Sequence, residues 1–222
     1  MISIKNLYLS FTKEYDALHN INLEVADGEK VALVGDSESG KTMLLRVIAG
    51  LEKYKQGEVY LKGINLHNID FKQDLSIGFV PKSFVFLKNK TVKENLEYVL
   101  KMRNMDMATI NLKVLTALKN FDIEPMQNLK VKELSDYQKT LVQLARVSMR
   151  KVDLFLIDNI CAGLSDAEQR DIVSKLKMLI EERPESTFVL AFNNPNLANE
   201  LGLKIIKLKD GCVVKDEKDQ WN

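Results

Sequence analysis

Apolar and polar residues alternate from Ile2 to Ser10 (Ile2, Ile4, Leu7, Leu9), the period of a half-buried strand. Ile21–Val25 is expected as a second strand. Asp27-Gly28 is a turn signal leading into a third, so the region is expected to form a β-meander. That third strand is an unbroken apolar run, Val31 to Val34, which reads as buried. It passes at Gly35 into Asp-Ser-Glu-Ser-Gly-Lys-Thr, after which Met43, Leu44, Leu45, Val47 and Ile48 follow with helical spacing. Gly57 to Gly63 brackets a short strand, and Leu75 to Val80 forms another that stops at Pro81.

From Thr91 to Arg150 the period becomes helical. Val92, Leu96, Val99 and Leu100 share one face, and Ile110, Val114, Leu115, Leu118 and Phe121 share another; both stripes are expected as core. A helix opens at Ser135 and runs through Leu141, Leu144 and Ala145. Asp153 to Asp158 is an apolar strand ending in an acid. A further helix carries Ile172, Leu176, Leu179 and Ile180. Thr187–Phe192 is a strand, Asn194-Pro195 starts a short helix, Leu203–Leu208 is a strand, and Asp210-Gly211 turns into Cys212–Val214. Strands alternating with helices imply an α/β fold: a mostly parallel sheet with helices on both faces, and a helical block inserted between two of its strands.

The chain has 222 residues, 45% of them hydrophobic, enough for one large domain or a domain with a subdomain. Its net charge of +1 supplies no field to recruit nucleic acid. Two unpatterned cysteines, Cys161 and Cys212, fit a reducing compartment and argue against a disulfide framework or zinc site. No apolar run reaches the length of a membrane span and the start lacks signal-peptide character, so a soluble intracellular chain is expected. Any service to a membrane would run through a partner, without direct insertion.

The stretch Gly35-Asp36-Ser37-Glu38-Ser39-Gly40-Lys41-Thr42 is a P-loop in its required context of strand, loop and helix. Gly35 and Gly40 let the backbone turn its N–H groups inward, where they and the helix N-terminus make an anion cradle. Lys41 supplies a point charge for the outer phosphates, and the Thr42 hydroxyl can hold Mg²⁺. Asp36 and Glu38 run against this. They must face solvent or weaken nucleotide binding by like-charge repulsion. His19 and His67 are isolated, no Ser–His–acid arrangement is visible, and Lys204 to Lys209 alternates with apolar residues as a solvated strand face does.

The order of motifs resembles an ATP-binding cassette (ABC) ATPase domain over nearly the whole chain. It is carried by the P-loop, Gly57–Gly63, Thr91-Val-Lys-Glu-Asn95, Glu133-Leu-Ser135, Leu144-Ala-Arg146, Asp153–Asp158 and Leu208-Lys-Asp-Gly211. Size and tail are most similar to the small ATPase subunits of bacterial transporters, including the lipoprotein-export and cell-division types. The resemblance implies a P-loop NTPase sheet with helices on both faces, an N-terminal antiparallel β-subdomain and an inserted helical subdomain. Within one domain, about 1–83 and 151–222 would form the RecA-like core plus β-subdomain, and about 84–150 the helical subdomain. It also implies a sandwich of two such subunits, identical or different, around two ATP molecules. In that sandwich each P-loop faces the partner's signature motif, here Ser135, Asp136, Tyr137 and Gln138. A transmembrane subunit would dock near Phe84-Val-Phe-Leu87, leaving the chain at the cytoplasmic side of the membrane.

Carried over residue by residue, the binding half is intact. Gly35, Gly40, Lys41 and Thr42 match, Asp158 matches the aspartate that holds Mg²⁺, and Phe11, or else Tyr15, is the candidate for stacking on adenine. The hydrolytic half is altered. The family's catalytic glutamate is Asn159, its switch histidine is Asn193, the glutamine after the strand ending at Val80 is Lys82, and a P-loop glycine is Glu38. An amide orients water but accepts no proton, and losing a positioned general base costs about 10² to 10⁴ in rate. The signature Leu-Ser-Gly-Gly-Gln reads Leu134-Ser-Asp-Tyr-Gln138, and Ser165 replaces an aspartate of the loop that pairs across the dimer. Ser135-x-x-Gln138 and Ser165-x-x-Glu168 are also capping boxes, and Asn193 can act as a helix cap.

Two functions follow. One is an ATP-binding subunit with hydrolysis lost or strongly impaired, gating a transport complex by nucleotide. The other is an active ABC ATPase in which Glu38, Asp166 or Glu168 supplies the missing carboxylate. A soluble P-loop kinase or DNA-repair ATPase is disfavoured by the lack of a lid-type arginine cluster and of a long coiled-coil insert.

Overall fold

The computed structural model describes residues 1–10, 16–71 and 73–214. Phe11 and Tyr15, the adenine-stacking candidates, and the tail from Lys215 lie outside the described residues. The chain divides into two compact units. One takes Met1–Phe79, Val152–Asn159 and the residues from Ile180 onward; the other takes Val80–Lys151 and Ile160–Leu179.

In the first unit β1 (Ile2–Ser10) pairs antiparallel with β2 (Asp16–Val25), setting Ile2 opposite Val25 and Ile4 opposite Leu23. The chain then leaves this sheet. β3 (Lys30–Val34) does not continue a meander, as the Asp27-Gly28 turn suggests; it joins the second sheet. The physical reason lies in its residues. Val31, Ala32, Leu33 and Val34 are all buried, and a strand apolar on both faces needs cover on both, which a half-solvated meander does not give. β4 (Gln56–Leu61) returns to pair with the other edge of β1, and β5 (Ile64–Asn65) closes the four-stranded sheet in the order β2-β1-β4-β5. The return needs Gly57, whose φ is +100° and where a Cβ would stand 2.4 Å from the Asn6 carbonyl oxygen.

The second sheet contains β3, β6 (Ile77–Val80), β7 (Leu154–Asp158), β8 (Thr187–Phe192), β9 (Lys204–Lys209) and β10 (Cys212–Val214), in the order β10-β9-β3-β8-β7-β6. β3, β7, β8 and β9 run parallel, and β10 returns antiparallel beside β9 through the Asp210-Gly211 turn. β7 and β8 are buried along their whole length, with Phe155 and Phe188 stacked at 4.4 Å. One core joins the two sheets: Ile4, Leu7 and Leu18 from the first meet Val31, Leu33 and Leu156 from the second, together with Leu44 and Ile48 of α1 (Lys41–Ile48). Because β3, β7 and β8 are parallel neighbours, Gly35, Asn159 and Asn193 all emerge at one end of the sheet, where α/β folds place their ligands.

The second unit is built on α2 (Val92–Lys101), α3 (Met107–Asn120), α4 (Asp136–Ser148) and most of α5 (Asp166–Glu181). Val92, Leu96 and Leu100 are buried, as are Ile110, Val114, Leu118 and Phe121. Leu115 is not: it lies about 100° round α3 from Val114 and is exposed. The segment from Lys82 to Lys90 is neither strand nor core. It crosses the surface as an irregular loop, with Val85 59% and Leu87 41% exposed. Asn95, almost fully buried in α2, ties this loop down. Its Oδ1 accepts the Leu87 N–H, and its Nδ2 donates to the carbonyls of Leu87 and Thr91 at 3.1 and 2.9 Å.

Replacing Asn95 removes the partner of the Leu87 N–H and the side-chain ties to the Leu87 and Thr91 carbonyls, which keep only the backbone N–H groups of Lys90 and Asn95. Asn95→Ala is expected to lower the unfolding free energy by about 2–3 kcal/mol, read from the midpoint of a denaturant titration.

Candidate functional site

The P-loop is the turn between β3 and α1. Gly35 packs so closely on β9 that a Cβ there would lie 2.1 Å from the Leu208 carbonyl oxygen. Two residues of the turn have left-handed backbone: Gly40 at φ +97° and Glu38 at φ +74°. A glycine adopts that conformation freely, whereas glutamate pays about 1–2 kcal/mol for it. The resemblance expects glycine at 38 for this reason. Asp36, Ser37 and Glu38 are exposed, so the two carboxylates face solvent at the rim of the loop.

Lys41, 5% exposed, folds back into the loop it follows. Its Nζ donates to the carbonyls of Gly35 at 2.7 Å and Asp36 at 2.6 Å, and to the Ser39 hydroxyl at 2.9 Å. The N–H of Leu44 makes the first helical bond, to Gly40, which leaves the N–H groups of Lys41, Thr42 and Met43 ahead of the helical ladder. One residue past the lysine, Thr42 Oγ1 donates to Asp158 Oδ1 at 3.0 Å. Asp158 is buried at the end of β7. A hydroxyl and a carboxylate side by side at a helix N-terminus form an all-oxygen donor set, which suits Mg²⁺ accompanied by phosphate. The residues present therefore fit a Mg²⁺–nucleotide: Lys41 and the loop N–H groups toward phosphate, Thr42 and Asp158 toward the metal.

Asn159 follows Asp158 directly. Its backbone is left-handed, φ +45°, and its N–H donates to Ala191 of β8 at 3.0 Å. Asparagine is among the few residues that tolerate that conformation, so it fits the corner where β7 ends. Asn193, following β8, is exposed and turns its Nδ2 to Ser37 Oγ at 3.4 Å. The expectation that Asn193 caps a helix is corrected here: Asn194 caps α6 (Pro195–Glu200), accepting the Asn196 N–H at 3.0 Å. Asn194 is the residue before the proline at the first helical position, so the cap falls one residue later.

The first unit thus brings together Gly35 to Thr42, Asp158, Asn159 and Asn193. The other candidates among the described residues belong to the second unit. Lys82 is exposed in the loop after β6. Ser135 and Gln138 form the expected capping box at the start of α4, with Ser135 N–H to Gln138 Oε1 at 2.9 Å and Gln138 N–H to Ser135 Oγ at 3.2 Å. Asp136 is exposed and pairs with Lys139 at 3.0 Å. The Tyr137 hydroxyl donates to Asp171 Oδ2 of α5 at 2.8 Å. Ser165 and Glu168 form the other capping box, with Ser165 N–H and Oγ both donating to Glu168 Oε2 at 2.8 Å. The Ser165 backbone bond, then its hydroxyl, holds the Glu168 carboxyl below its usual range.

Sequence reasoning missed the device beneath Phe84-Val-Phe-Leu87. Phe84 and Phe86 lie near parallel with centroids 6.4 Å apart. Lys139 sits over Phe84 at 5.3 Å and Arg146 over Phe86 at 5.1 Å. Arg146 Nη1 also donates to the Val85 carbonyl at 2.7 Å. Both cations come from α4, one of them from the Leu144-Ala-Arg146 motif. Their helical spacing of seven, facing two aromatics spaced by two, was the available signal.

Comparison with known proteins agrees with this geometry. The family model described as ABC transporter matches residues 18–162. The chain is similar to the sn-glycerol-3-phosphate import ATP-binding protein UgpC of Burkholderia ambifaria, 33% identical over 210 residues that cover 95% of this chain and 58% of that protein. It is also similar to the oligosaccharides import ATP-binding protein MsmX of Bacillus subtilis, 29% identical over 96% of this chain and 58% of that one. The chain therefore spans somewhat over half the length of these curated relatives. Among solved structures it resembles the dimeric bacterial ABC transporter cassette MJ0796, with a TM-score of 0.86 and 31% identity over 97% of both chains. That cassette is also known in a post-hydrolysis state bound to ADP and Pi, where the TM-score is 0.85.

The Tyr137–Asp171 bond yields a pH signature. Burial, and then the bond to Asp171, push the phenol from its ordinary value of 10 up to about 12. The folded state thus favours the protonated phenol. Its contribution is complete below pH 10 and lost as pH rises towards 12. The stability difference between the native chain and Tyr137→Phe, measured by thermal unfolding, is expected to be flat below pH 10 and to shrink above it.

Proposed function

The chain belongs to the ABC transporter family, and from that premise we propose that it is the ATP-binding subunit of a membrane transport complex, holding Mg-ATP in its P-loop with hydrolysis lost or strongly impaired. The observation that carries this reading is the contrast between Asp158 and Asn159. The metal-side carboxylate is in place, 3.0 Å from Thr42, and the next residue, where the family carries its base, is an amide. Asn159 can orient a water but cannot take its proton, and Asn193 likewise offers no titrating group beside Ser37. When bound, Mg²⁺ would offset phosphate charge at Thr42 and Asp158. Lys41 would exchange its hold on the Gly35 and Asp36 carbonyls for phosphate oxygens. The loop and metal pair then support binding, while the proton-accepting groups of the reaction are replaced.

Of the carboxylates available to the alternative, an active ATPase, Glu168 is held in its capping box with Ser165. Nucleotide bound without turnover acts as a stabilising ligand, so the state of the complex would follow nucleotide supply by mass action. The partners in this reading are a second ABC subunit, identical or different, and a transmembrane subunit at the cytoplasmic face. No helix among the described residues is long and apolar enough to cross a membrane, which fits attachment through that subunit. Val85 and Leu87, on a loop contacted by Arg146, Lys139 and Asn95, supply an apolar docking tip.

Two measurements test these proposals. Calorimetric titration with Mg-ATP is expected to show one site per chain that Lys41→Ala removes; heat unchanged by that substitution would refute the P-loop assignment. Val85→Asp is expected to weaken co-purification with the transmembrane partner at least about tenfold while leaving nucleotide affinity unchanged, because it buries an unpaired charge at the tip.

A further inference from the structure

Glu38 breaks a local rule at the centre of the loop. It is a charged, β-carbon-bearing residue in left-handed backbone, φ +74°, with its side chain exposed. Strain kept at a functional loop is a reason to ask what the residue does there. Among the described residues no hydrogen bond or ion pair is made by its carboxylate. The loop's own cation does not neutralise it, because Lys41 Nζ is directed at the Gly35 and Asp36 carbonyls and the Ser39 hydroxyl. Asp36, also exposed, adds a second carboxylate two residues away. From Gly35 to Thr42 two carboxylates stand against one ammonium, a formal charge of 1 − 2 = −1. An anion cradle built on N–H groups and a helix end thus carries negative charge on its rim.

Such a rim penalises a ligand in proportion to the ligand's own negative charge. Magnesium-bound nucleoside triphosphate carries one more negative charge than the magnesium-bound diphosphate. We propose that Glu38 is a specificity-determining residue that shifts the P-loop away from nucleoside triphosphate and towards diphosphate. This rests on the nucleotide-binding reading above and adds to it. The chain would then report the ratio of diphosphate to triphosphate: ADP competes effectively at the loop instead of leaving it to ATP, and mass action fixes the occupied state.

The test is the ratio of calorimetric Kd values for Mg-ATP and Mg-ADP, measured on the full chain and on Glu38→Gln and Glu38→Gly. Glutamine removes the charge and keeps the strained backbone; glycine removes both. Both substitutions are expected to tighten Mg-ATP over Mg-ADP by about fivefold, the size of one charge–charge interaction at a partly solvated distance. The gain should fall by at least half between about 0.05 and 0.5 M salt, as screening shortens its reach. An unchanged ratio in both variants overturns the inference and leaves the nucleotide reading standing. Weaker binding of both nucleotides in Glu38→Gln would mark the carboxylate as a metal ligand and also overturn it. Absence of binding by all three proteins would overturn the nucleotide reading and the inference together. A gain in Glu38→Gly alone would assign the effect to backbone freedom and reject the charge.

Discussion

Lys41 carries a charge almost wholly removed from water, and a buried charge persists only where donors and acceptors around it are satisfied. Here the chain satisfies it with its own backbone. The carbonyls of Gly35 and Asp36 and the hydroxyl of Ser39 converge on Nζ, which requires the turn from β3 into α1 to wrap around the ammonium. That wrap dictates the left-handed backbone at Glu38 and Gly40 and the close approach of Gly35 to β9. It also explains why the strand before it is apolar on both faces. A loop shaped this tightly needs a rigid support, and β3 is held between β8 and β9 by parallel pairing along its length. The acceptors that hold the lysine are weak partners compared with phosphate, so the same arrangement that stabilises the loop leaves the ammonium ready to exchange.

The surrounding topology supplies the rest of the site. β7 ends at Asp158 beside Thr42, and Asn193 follows the end of β8 beside Ser37, because parallel neighbours present their carboxyl ends together. The two carboxamides at those ends are the basis of the proposed separation between binding and hydrolysis. Each also has a structural fit of its own: Asn159 suits a left-handed corner, and Asn193 braces a P-loop residue. In the helical unit the altered signature is self-contained. Ser135 and Gln138 cap each other, Tyr137 is held by Asp171, and Asp136 presents its carboxylate with Lys139. On the proposed reading, a phosphate brought to that helix end would meet one more negative charge.

Much of this was legible in the residues because its signals are local. Helical spacing identified α2 and α3, capping boxes located the starts of α4 and α5, and Thr187–Phe192 was delimited by its own apolar run. Errors came where a non-local partner decides. Asp27-Gly28 is a good turn for a hairpin, yet the preference of β3 for burial on both faces sends it to another sheet. Asn193 and Asn194 are equal candidates for capping on composition, and only the tertiary neighbour Ser37 separates them. Leu115 belongs to an apolar stripe by counting and to solvent by angle. The run Phe84 to Leu87 shows its apolar character in sequence but not its support, because Lys139 and Arg146, which stand over the two rings, lie more than fifty residues further along the chain. The left-handed φ of Glu38 could be suspected only from the glycine that the resemblance expects there.

The central claim is that the chain holds ATP without consuming it. It is tested most directly by incubating stoichiometric Mg-ATP with the purified chain, isolating the protein-bound fraction over time and identifying the nucleotide by chromatography, with Lys41→Ala in parallel. Intact ATP recovered from the native chain, with nothing retained by Lys41→Ala, is the expected outcome. ADP and phosphate accumulating at a rate that Lys41→Ala abolishes would contradict it and restore a working ATPase.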